Sequence, residues 1–168
     1  MLYRNILKRL QDEKFEYLIV GGLAVNLHGY TRATADLDIV ILLSEENIRK
    51  FVSVIKSLNY KPRVPVELED FISKENRKKW IEEKNMKVFS VYNPEDEAEH
   101  IDILIQYNLN FEEAYKKKVV YNVGGINIPV ISIPDLIRLK EEANRRIDEL
   151  DIAALKKIME LQNEKKDN

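Results

Sequence analysis

The sequence predicts an α/β fold: a mixed, twisted sheet flanked by helices, with a helical C-terminal extension. Short apolar runs typical of strands alternate with segments of helical periodicity, and two helical segments end the chain. Hydrophobic residues make up 45% of the sequence and charged residues 33%, so a sizeable core can form beneath a charged surface. With 168 residues and no internal repeat or linker, the chain is expected to form a single domain over 1–168.

The N-terminal quarter is predicted to hold two helices and two strands. Leu2, Ile6 and Leu10 recur every four residues, which predicts an amphipathic helix over 2–13. An apolar run over 16–20 ends at two glycines, as is typical of a strand stopped by a turn. The other two predicted elements are a short helix over 23–28 with Gly29 as a left-handed C-cap, and a strand over 36–43.

The rest of the chain continues this alternation. Ser44 followed by acidic residues predicts a helix start, and apolar side chains along one face of that helix predict that it packs on the core. Gly124-Gly125 between two apolar runs predicts a two-residue hairpin turn. The predicted elements are helices over 44–58, 68–83 and 111–117, strands over 87–92, 100–105, 119–123 and 126–131, and helices beginning at Pro134 and Ile147.

Charge and composition exclude several kinds of protein. The 27 Lys and Arg nearly balance the 29 Asp and Glu, which argues against a protein that coats nucleic acid. The absence of Cys excludes disulfides, thiolate nucleophiles and Cys-ligated zinc. The N-terminus lacks the apolar run of a signal peptide, and no segment has the length of a membrane span, so we expect a soluble cytoplasmic protein without a membrane partner. The composition, with abundant Glu, Lys and Ile and scarce Gln, resembles that of proteins from thermophiles.

Asp36 and Asp38 lie two residues apart in the most strand-like run of the chain. Side chains two apart on a strand point to the same face, so the two carboxylates are expected side by side. Their repulsion favours a hard divalent cation between them, above all Mg²⁺. Gly21 and Gly22 precede a predicted helix, where backbone N–H groups can approach an anion. A phosphate-binding turn near a metal-binding acid pair predicts a nucleoside triphosphate site.

A third carboxylate, Asp102, lies in the apolar run from His100 to Ile105. A charged side chain in such a strand is costly unless it is paired or bound to a metal. If this strand lies beside the strand of Asp36 and Asp38, the three acids could hold two Mg²⁺ ions. Two ions stabilise both the attacking and the leaving oxygen of an in-line displacement at phosphorus.

These motifs resemble the polymerase-β-type nucleotidyltransferase superfamily. Its small members have a Gly-Gly or Gly-Ser turn, then an Asp-x-Asp strand, then a lone Asp on a later strand. The corresponding positions are Gly21-Gly22, Asp36 with Asp38, and Asp102. Two further segments, His28-Gly29 and Arg32 to Thr34, are similar to a subgroup that contains the toxin-like AbiEii relatives, known from toxin-antitoxin-like systems, and stand-alone nucleotidyltransferases.

The C-terminal third contains a second region of resemblance. Lys140 matches the Lys of the subgroup's Leu-x-x-x-Lys helix, and the residues after it match an Arg-x-x-Asp-x-x-Asp continuation. The subgroup's Gly-Arg-Pro-Lys segment before the first Asp is replaced by Asn144 to Ile147. The resemblance implies that Lys140 reaches the triphosphate, while Arg145, Asp148 and Asp151 support the site.

The resemblance also implies an activity: Mg²⁺-dependent transfer of a nucleoside monophosphate from an NTP such as ATP to a hydroxyl acceptor, with release of pyrophosphate. Residues 1–108 would form the catalytic core, and the hairpin and helices of 109–168 would close the cleft. Asp36, Asp38 and Asp102 would bind Mg²⁺, with Asp102 also acting as general base or positioning the acceptor hydroxyl. The triphosphate would contact Gly21, Gly22, Arg32, Thr34, Lys140 and Arg145.

Several questions stay open at the level of the sequence. The acceptor could be a tRNA end, a protein or a small hydroxylated molecule, and a homodimer or a partner chain could complete that side of the cleft. A catalytically silent nucleotide-binding or regulatory module of the same fold also fits, as does a two-metal phosphohydrolase. Outside these motifs, we expect Arg77 to Lys79 to form a solvated face, Trp80 a small satellite core, and His28 to pack at a helix end.

Overall fold

The computed structural model describes residues 3–166, so Leu2 of the predicted first helix lies outside the described residues. The sheet contains seven strands: β1 Tyr17–Ile19, β2 Leu37–Ile41, β3 Lys61–Pro62, β4 Val88–Asn93, β5 Asp96–Leu104, β6 Val119–Val123 and β7 Ile126–Val130. The α-helices are α1 Arg4–Asp12, α2 Gly21–His28, α3 Glu45–Ser57, α4 Lys74–Lys84, α5 Phe111–Lys116, α6 Ile133–Ala143 and α7 Arg146–Lys166, and a 3₁₀ helix spans Leu68–Ile72.

The sheet is mixed, as predicted, with the strand order β3-β4-β5-β2-β1-β7-β6. Strand β1 pairs antiparallel with β2 and parallel with β7. Strand β2 pairs parallel with β5, which pairs antiparallel with β4. The predicted hairpin is confirmed, because Gly124 and Gly125 both have positive φ, at 59° and 84°, as its tight turn requires. The C-terminal hairpin therefore extends the same sheet to which β1 and β2 belong.

Most predicted elements are confirmed, and the differences lie at their ends. Helix α2 begins at Gly21, two residues before the predicted start, so the glycine pair forms its first turn. Strand β2 begins at Leu37, which leaves Asp36 in the preceding segment. The predicted helix over 68–83 is two helices, because the Ser73 hydroxyl accepts from the Asn76 N–H and starts α4 anew.

Two expectations about the α4 region are wrong. Trp80 belongs to the main core, because its ring stacks on Phe89 with centroids 5.6 Å apart, and Phe89 stacks on Phe71 at 4.4 Å. Arg77 is buried, and its guanidinium donates to the backbone carbonyls of Phe71 at 2.6 Å and Ile72 at 2.7 Å. A basic run on a helix can thus include one side chain that turns inward to satisfy the carbonyls at the end of a neighbouring helix.

No helix within residues 3–166 combines the length and apolar character that crossing a membrane requires.

Candidate active site

Asp38, Asp102 and Ser90 form a polar row across three neighbouring strands. Asp38 of β2 lies opposite Asp102 of β5, and Ser90 of β4 lies opposite Asp102 on the other side. The Ser90 hydroxyl donates to Oδ1 of Asp102 at 2.5 Å. The prediction that the strand of Asp102 lies beside the strand of Asp38 is therefore confirmed. The pairing places two carboxylates on adjacent strands with one serine holding the second of them.

Burial and like charge raise the pKa of Asp38 from 3.8 to about 6. Burial is the largest cause, followed by the negative charges of Asp102 and Asp36, and the nearby Arg145 and Lys140 offset part of the effect. Half of the Asp38 side chains are therefore protonated near pH 6. A cation placed at this carboxylate would favour the ionised form and would relieve the repulsion between the acids.

Asp36 is held apart from the polar row. It lies just before β2, its side chain is half exposed, and its Oδ1 lies 3.0 Å from Nε2 of His100 on β5. Within residues 3–166 no three acidic or histidine side chains come close enough together to form a metal site. The expected pairing of the Asp36 and Asp38 carboxylates thus differs from the arrangement found, because His100 holds Asp36.

Gly21 forms the wall of the site next to Asp38. Its φ is +63°, and a Cβ at this position would lie 2.0 Å from Oδ2 of Asp38. Only glycine allows both the left-handed backbone and the close approach to this carboxylate. The glycine predicted from the sequence to bind phosphate is therefore also the residue that makes room for Asp38.

Gly22 has a different neighbourhood, formed by two other predicted site residues. A Cβ on Gly22 would lie 2.6 Å from Oγ1 of Thr34 and 2.8 Å from Nη2 of Arg32. The segment before β2 thus places Thr34 and Arg32 against the first turn of α2. Asn26 fixes this segment, because its side chain exchanges two hydrogen bonds with the Arg32 backbone, at 2.9 Å and 3.0 Å.

A buried ion network joins this segment to the C-terminal helices. Nζ of Lys140 donates to Asp148 at 3.0 Å and to Asp151 at 2.7 Å, and the exposed fractions of these three side chains are 3%, 1% and 0%. Arg32 donates to both oxygens of Asp151, at 2.8 Å and 3.0 Å. Arg145 donates through Nε to Asp148 at 2.9 Å. The network therefore contains three cations and two anions.

The network changes the environment of each member. Burial by itself would raise the pKa of Asp148, but hydrogen bonds from Arg145 and Lys140 outweigh it and lower that pKa. The Lys140 ammonium, predicted to reach a triphosphate, is held by two carboxylates. One surplus positive charge remains in the network, next to the cleft that Lys140 and Arg145 line together with Asp38.

A cleft of about 910 Å³ opens over the polar row. Five predicted site residues line it: Gly21, Asp38, Asp102, Lys140 and Arg145. The other four, Gly22, Arg32, Thr34 and Asp36, lie outside its lining in the described part of the chain. Polar lining residues that sequence reasoning missed are Asn85, Lys87, Gln106, Tyr107, Asn108 and Glu142.

Two further residues at the acids were missed, and the alternation of strand side chains could have identified one of them. His100 lies two residues before Asp102, as Asp36 lies two before Asp38, so once the two strands are placed side by side His100 and Asp36 become neighbours. Ser90 could not be found in this way, because its register with Asp102 depends on the length of the turn between β4 and β5 and on the bulge near Asn93.

We expect Gly21→Ala to lower the free energy of unfolding by about 2 to 5 kcal/mol, since it adds a left-handed backbone strain and an overlap with Asp38. Gly125→Ala is the matched control: its φ is +84°, but a Cβ there meets nothing within 4 Å. The control should lose only the strain, about 1 to 2 kcal/mol. Denaturant unfolding measures both, and equal losses would contradict the predicted contact between a Cβ at position 21 and Asp38.

The chain has the fold of solved nucleotidyltransferases. The lincosamide antibiotic adenylyltransferase LnuA, solved with lincomycin bound, superposes with a TM-score of 0.60 at 20% identity, over 91% of this chain and 93% of that chain. ANT(2'')-Ia in complex with adenylyl-2''-tobramycin gives 0.55 at 14% identity, over 96% and 93%. TM1012 from Thermotoga maritima, a candidate nucleotidyltransferase, gives 0.56 at 16% identity, over 96% and 90%.

No protein-family model matches the chain, and its sequence matches no curated protein. At 14% to 20% identity, the structural likenesses establish the fold, and they confirm the predicted fold class.

Proposed function

We propose that the protein is a nucleotidyltransferase that moves a nucleoside monophosphate from an NTP to a hydroxyl group of a small molecule and releases pyrophosphate. The observation that carries this proposal is the register that sets Asp38 beside Asp102 at the wall of a cleft, with Gly21 in contact with Asp38. The chain would act as one domain over 1–168, with core 1–108 and with the helices of 109–168 closing the cleft.

The acids suit Mg²⁺ as the metal. The available donors are carboxylate oxygens, which hard cations prefer, and the raised pKa of Asp38 means that this site favours an added positive charge. Asp38 and Asp102 would hold the metal, and Asp36 would join them by leaving His100. Mg²⁺ bound there would neutralise charge on the phosphates and increase the electrophilicity of the α-phosphorus.

The chain's own residues would then arrange the transfer. The acceptor oxygen forms a bond to the α-phosphorus, the bond from that phosphorus to the bridging oxygen breaks, and pyrophosphate leaves with the bond electrons. The acceptor's hydroxyl proton would pass to Asp102, whose carboxylate the Ser90 hydroxyl orients. The amides of Gly21 and Gly22, at the positive end of α2, would face the phosphates.

The ion network would supply positive charge to the triphosphate of the bound NTP. Its surplus positive charge lies beside the cleft through Lys140 and Arg145. Arg32 and Thr34, which lie against Gly22, would approach the triphosphate from the segment before β2. Lys87 also lines the cleft and would add a further cation.

A small acceptor is favoured over RNA or protein for two reasons. LnuA was solved with lincomycin and ANT(2'')-Ia with an adenylylated aminoglycoside, and both share this fold over more than 90% of the chain. The cleft of about 910 Å³ also has the size of small-molecule sites, which are commonly about 300 to 1,000 Å³. The closer relationship to the AbiEii-like subgroup rests on motif resemblance and stays a prediction.

Calorimetric titration of each NTP, with and without Mg²⁺, tests the donor site. We expect wild-type protein to bind at least one NTP only with Mg²⁺, and an Asp36→Asn/Asp38→Asn double variant to lose that binding. Asp12→Asn, on the exposed face of α1, is the control that changes an acid elsewhere. Positive binding leads to pyrophosphate assays with a panel of hydroxylated small molecules, including aminoglycosides and lincosamides.

The possible results separate the competing functions. Binding with pyrophosphate release and a nucleotide-modified acceptor supports the transferase. Hydrolysis of the nucleotide without a modified acceptor would support the phosphohydrolase instead. Binding without turnover on any acceptor class would favour the catalytically silent module, and no binding to any NTP would refute the proposed donor site.

A further inference from the structure

Helix α7 exposes large apolar side chains on one face. Ile147, Leu150 and Leu161 have exposed fractions of 43%, 61% and 49%. Single exposed apolar side chains are common on protein surfaces, but three of them along one face of a helix point to an interface.

The exposed residues belong to a continuous stripe with Ala154 and Ile158, both partly exposed. The positions 147, 150, 154, 158 and 161 are separated by three, four, four and three residues. At 100° per residue, these side chains fall within an arc of about 80°. Asp151 and Leu155 lie next to one edge of this arc, the edge formed by Ile158, and both are buried within the chain. We call the five residues the α7 stripe.

The α7 stripe is symmetric about Ala154. If a second α7 packs against it in the antiparallel direction, Ile147 meets Leu161, Leu150 meets Ile158, and Ala154 meets its own copy. This is the pattern that a two-fold interface requires, since each contact between residues i and j then occurs twice. The small side chain at the centre would let the two helices approach closely at their crossing point.

Charged residues beside the α7 stripe are also arranged symmetrically along the helix, and the two members of each matching pair carry opposite charges. Arg146, Glu149, Lys157 and Glu160 are exposed and lie on one flank around Ala153. In the antiparallel arrangement Arg146 faces Glu160 and Glu149 faces Lys157, which gives four opposite-charge contacts in the pair. No ion pair within residues 3–166 involves any of these four side chains, so all four are available to a partner.

We propose that α7 is the interface of a homodimer in which two copies of this helix pack antiparallel across a two-fold axis at Ala154. This inference does not depend on the proposed activity. It does have a consequence for the candidate site, because the neighbouring face of α7 supplies Asp148 and Asp151 to the ion network. Covering the exposed face would hold those two carboxylates in place.

Single cysteines test the arrangement directly, because the chain has none of its own. Under mild oxidation, Ala154→Cys should form a covalent dimer, since the two sulfurs would meet at the axis. Lys156→Cys, about 160° around the helix from the stripe, is the control and should stay monomeric on a denaturing gel. Leu161→Cys should also stay monomeric, because the two copies would lie about 21 Å apart along the helices.

Charge reversal tests the pairing of the flanks by sedimentation equilibrium. Lys157→Glu should weaken dimerisation about tenfold, and the Glu149→Lys/Lys157→Glu double variant should restore it. Circular dichroism checks that each variant is folded. A wild-type protein that is monomeric at every concentration would overturn the proposal. Cross-linking through Leu161→Cys, or a double variant weaker than the single one, would overturn the antiparallel two-fold arrangement.

Discussion

Asp38→Asn is expected to reduce nucleotidyl transfer by at least about a thousandfold while the protein stays folded. The amide keeps the size of the carboxylate but lacks its charge, so the proposed metal site loses the acid that lies opposite Asp102. A loss of this size corresponds to about 4 kcal/mol of transition-state stabilisation.

The same substitution should make the protein more stable at high pH. The pKa of Asp38 is about 6 in the folded chain, against 3.8 as its ordinary value. The folded state therefore binds more protons between these values, and stability falls as the pH rises from about 4 to about 6. Above pH 6 the ionised carboxylate destabilises the fold by roughly 1 to 3 kcal/mol. Asp38→Asn removes this cost at pH 8 and changes little at pH 4.

Turnover with Mg²⁺ measures the first effect, and denaturant unfolding in EDTA at pH 4 and pH 8 measures the second. Asp12→Asn, whose carboxylate pairs with Lys8 on the surface of α1, is the control and should match wild type in both. If Asp38→Asn stays active, the assignment of Asp38 to the proposed chemistry is wrong. If it is less stable than wild type at pH 8 without metal, the burial and repulsion described for this carboxylate are wrong.

Asp151→Ala should lower the free energy of unfolding by about 3 to 5 kcal/mol. Asp151 is fully buried and accepts hydrogen bonds from both Lys140 and Arg32. Its removal leaves four charges, three of them positive, and the buried Lys140 ammonium keeps only Asp148 as a partner. The cost comes mainly from this unbalanced buried charge, since the net value of a buried ion pair is small.

A double-mutant cycle separates this cause from simple loss of packing. Lys140→Met in the Asp151→Ala background removes the uncompensated ammonium, so the double variant should recover more than 1 kcal/mol relative to the single one. Asp12→Ala is the exposed control and should cost less than about 1 kcal/mol. Denaturant unfolding gives the values for the wild type, the Asp151→Ala and Lys140→Met single variants, the double variant and the control. Additive effects of the two substitutions would show that Lys140 and Asp151 do not interact in solution.

Strand periodicity and a spacing typical of a known superfamily predict three acids, and the structure sets two of them, Asp38 and Asp102, opposite each other on paired strands. Asp102 stands out because a charged side chain is costly in an apolar strand, but its place beside Asp38 depends on the pairing of the strands. Arg32, Lys140 and Asp151 were also identified, but the contacts of Asp151 with both cations were not predicted. Those contacts depend on how α6 and α7 cross, which no local pattern in the sequence specifies.

The other differences between prediction and structure also arise from long-range contacts. Arg77 is indistinguishable from its lysine neighbours in a charged helix, and only the tertiary fold brings the carbonyls of Phe71 and Ile72 to it. Asp36 is predicted within the strand of Asp38 but lies just before β2, and its pairing with His100 depends on the register of two strands. Periodicity predicts which face a side chain occupies, whereas its partner across the sheet depends on long-range contacts.

The position of β1 between β2 and β7 has a consequence for synthesis on the ribosome. Strands β1, β2, β4 and β5 are complete once Leu104 has emerged, so the acids can pair while the rest of the chain is still being made. Two of the three network cations, Lys140 and Arg145, come later, and Arg32 is made early but its partner Asp151 follows 119 residues on. The nascent protein therefore assembles the acids of its cleft first, and the last helix to be synthesised supplies the two carboxylates that hold the network cations.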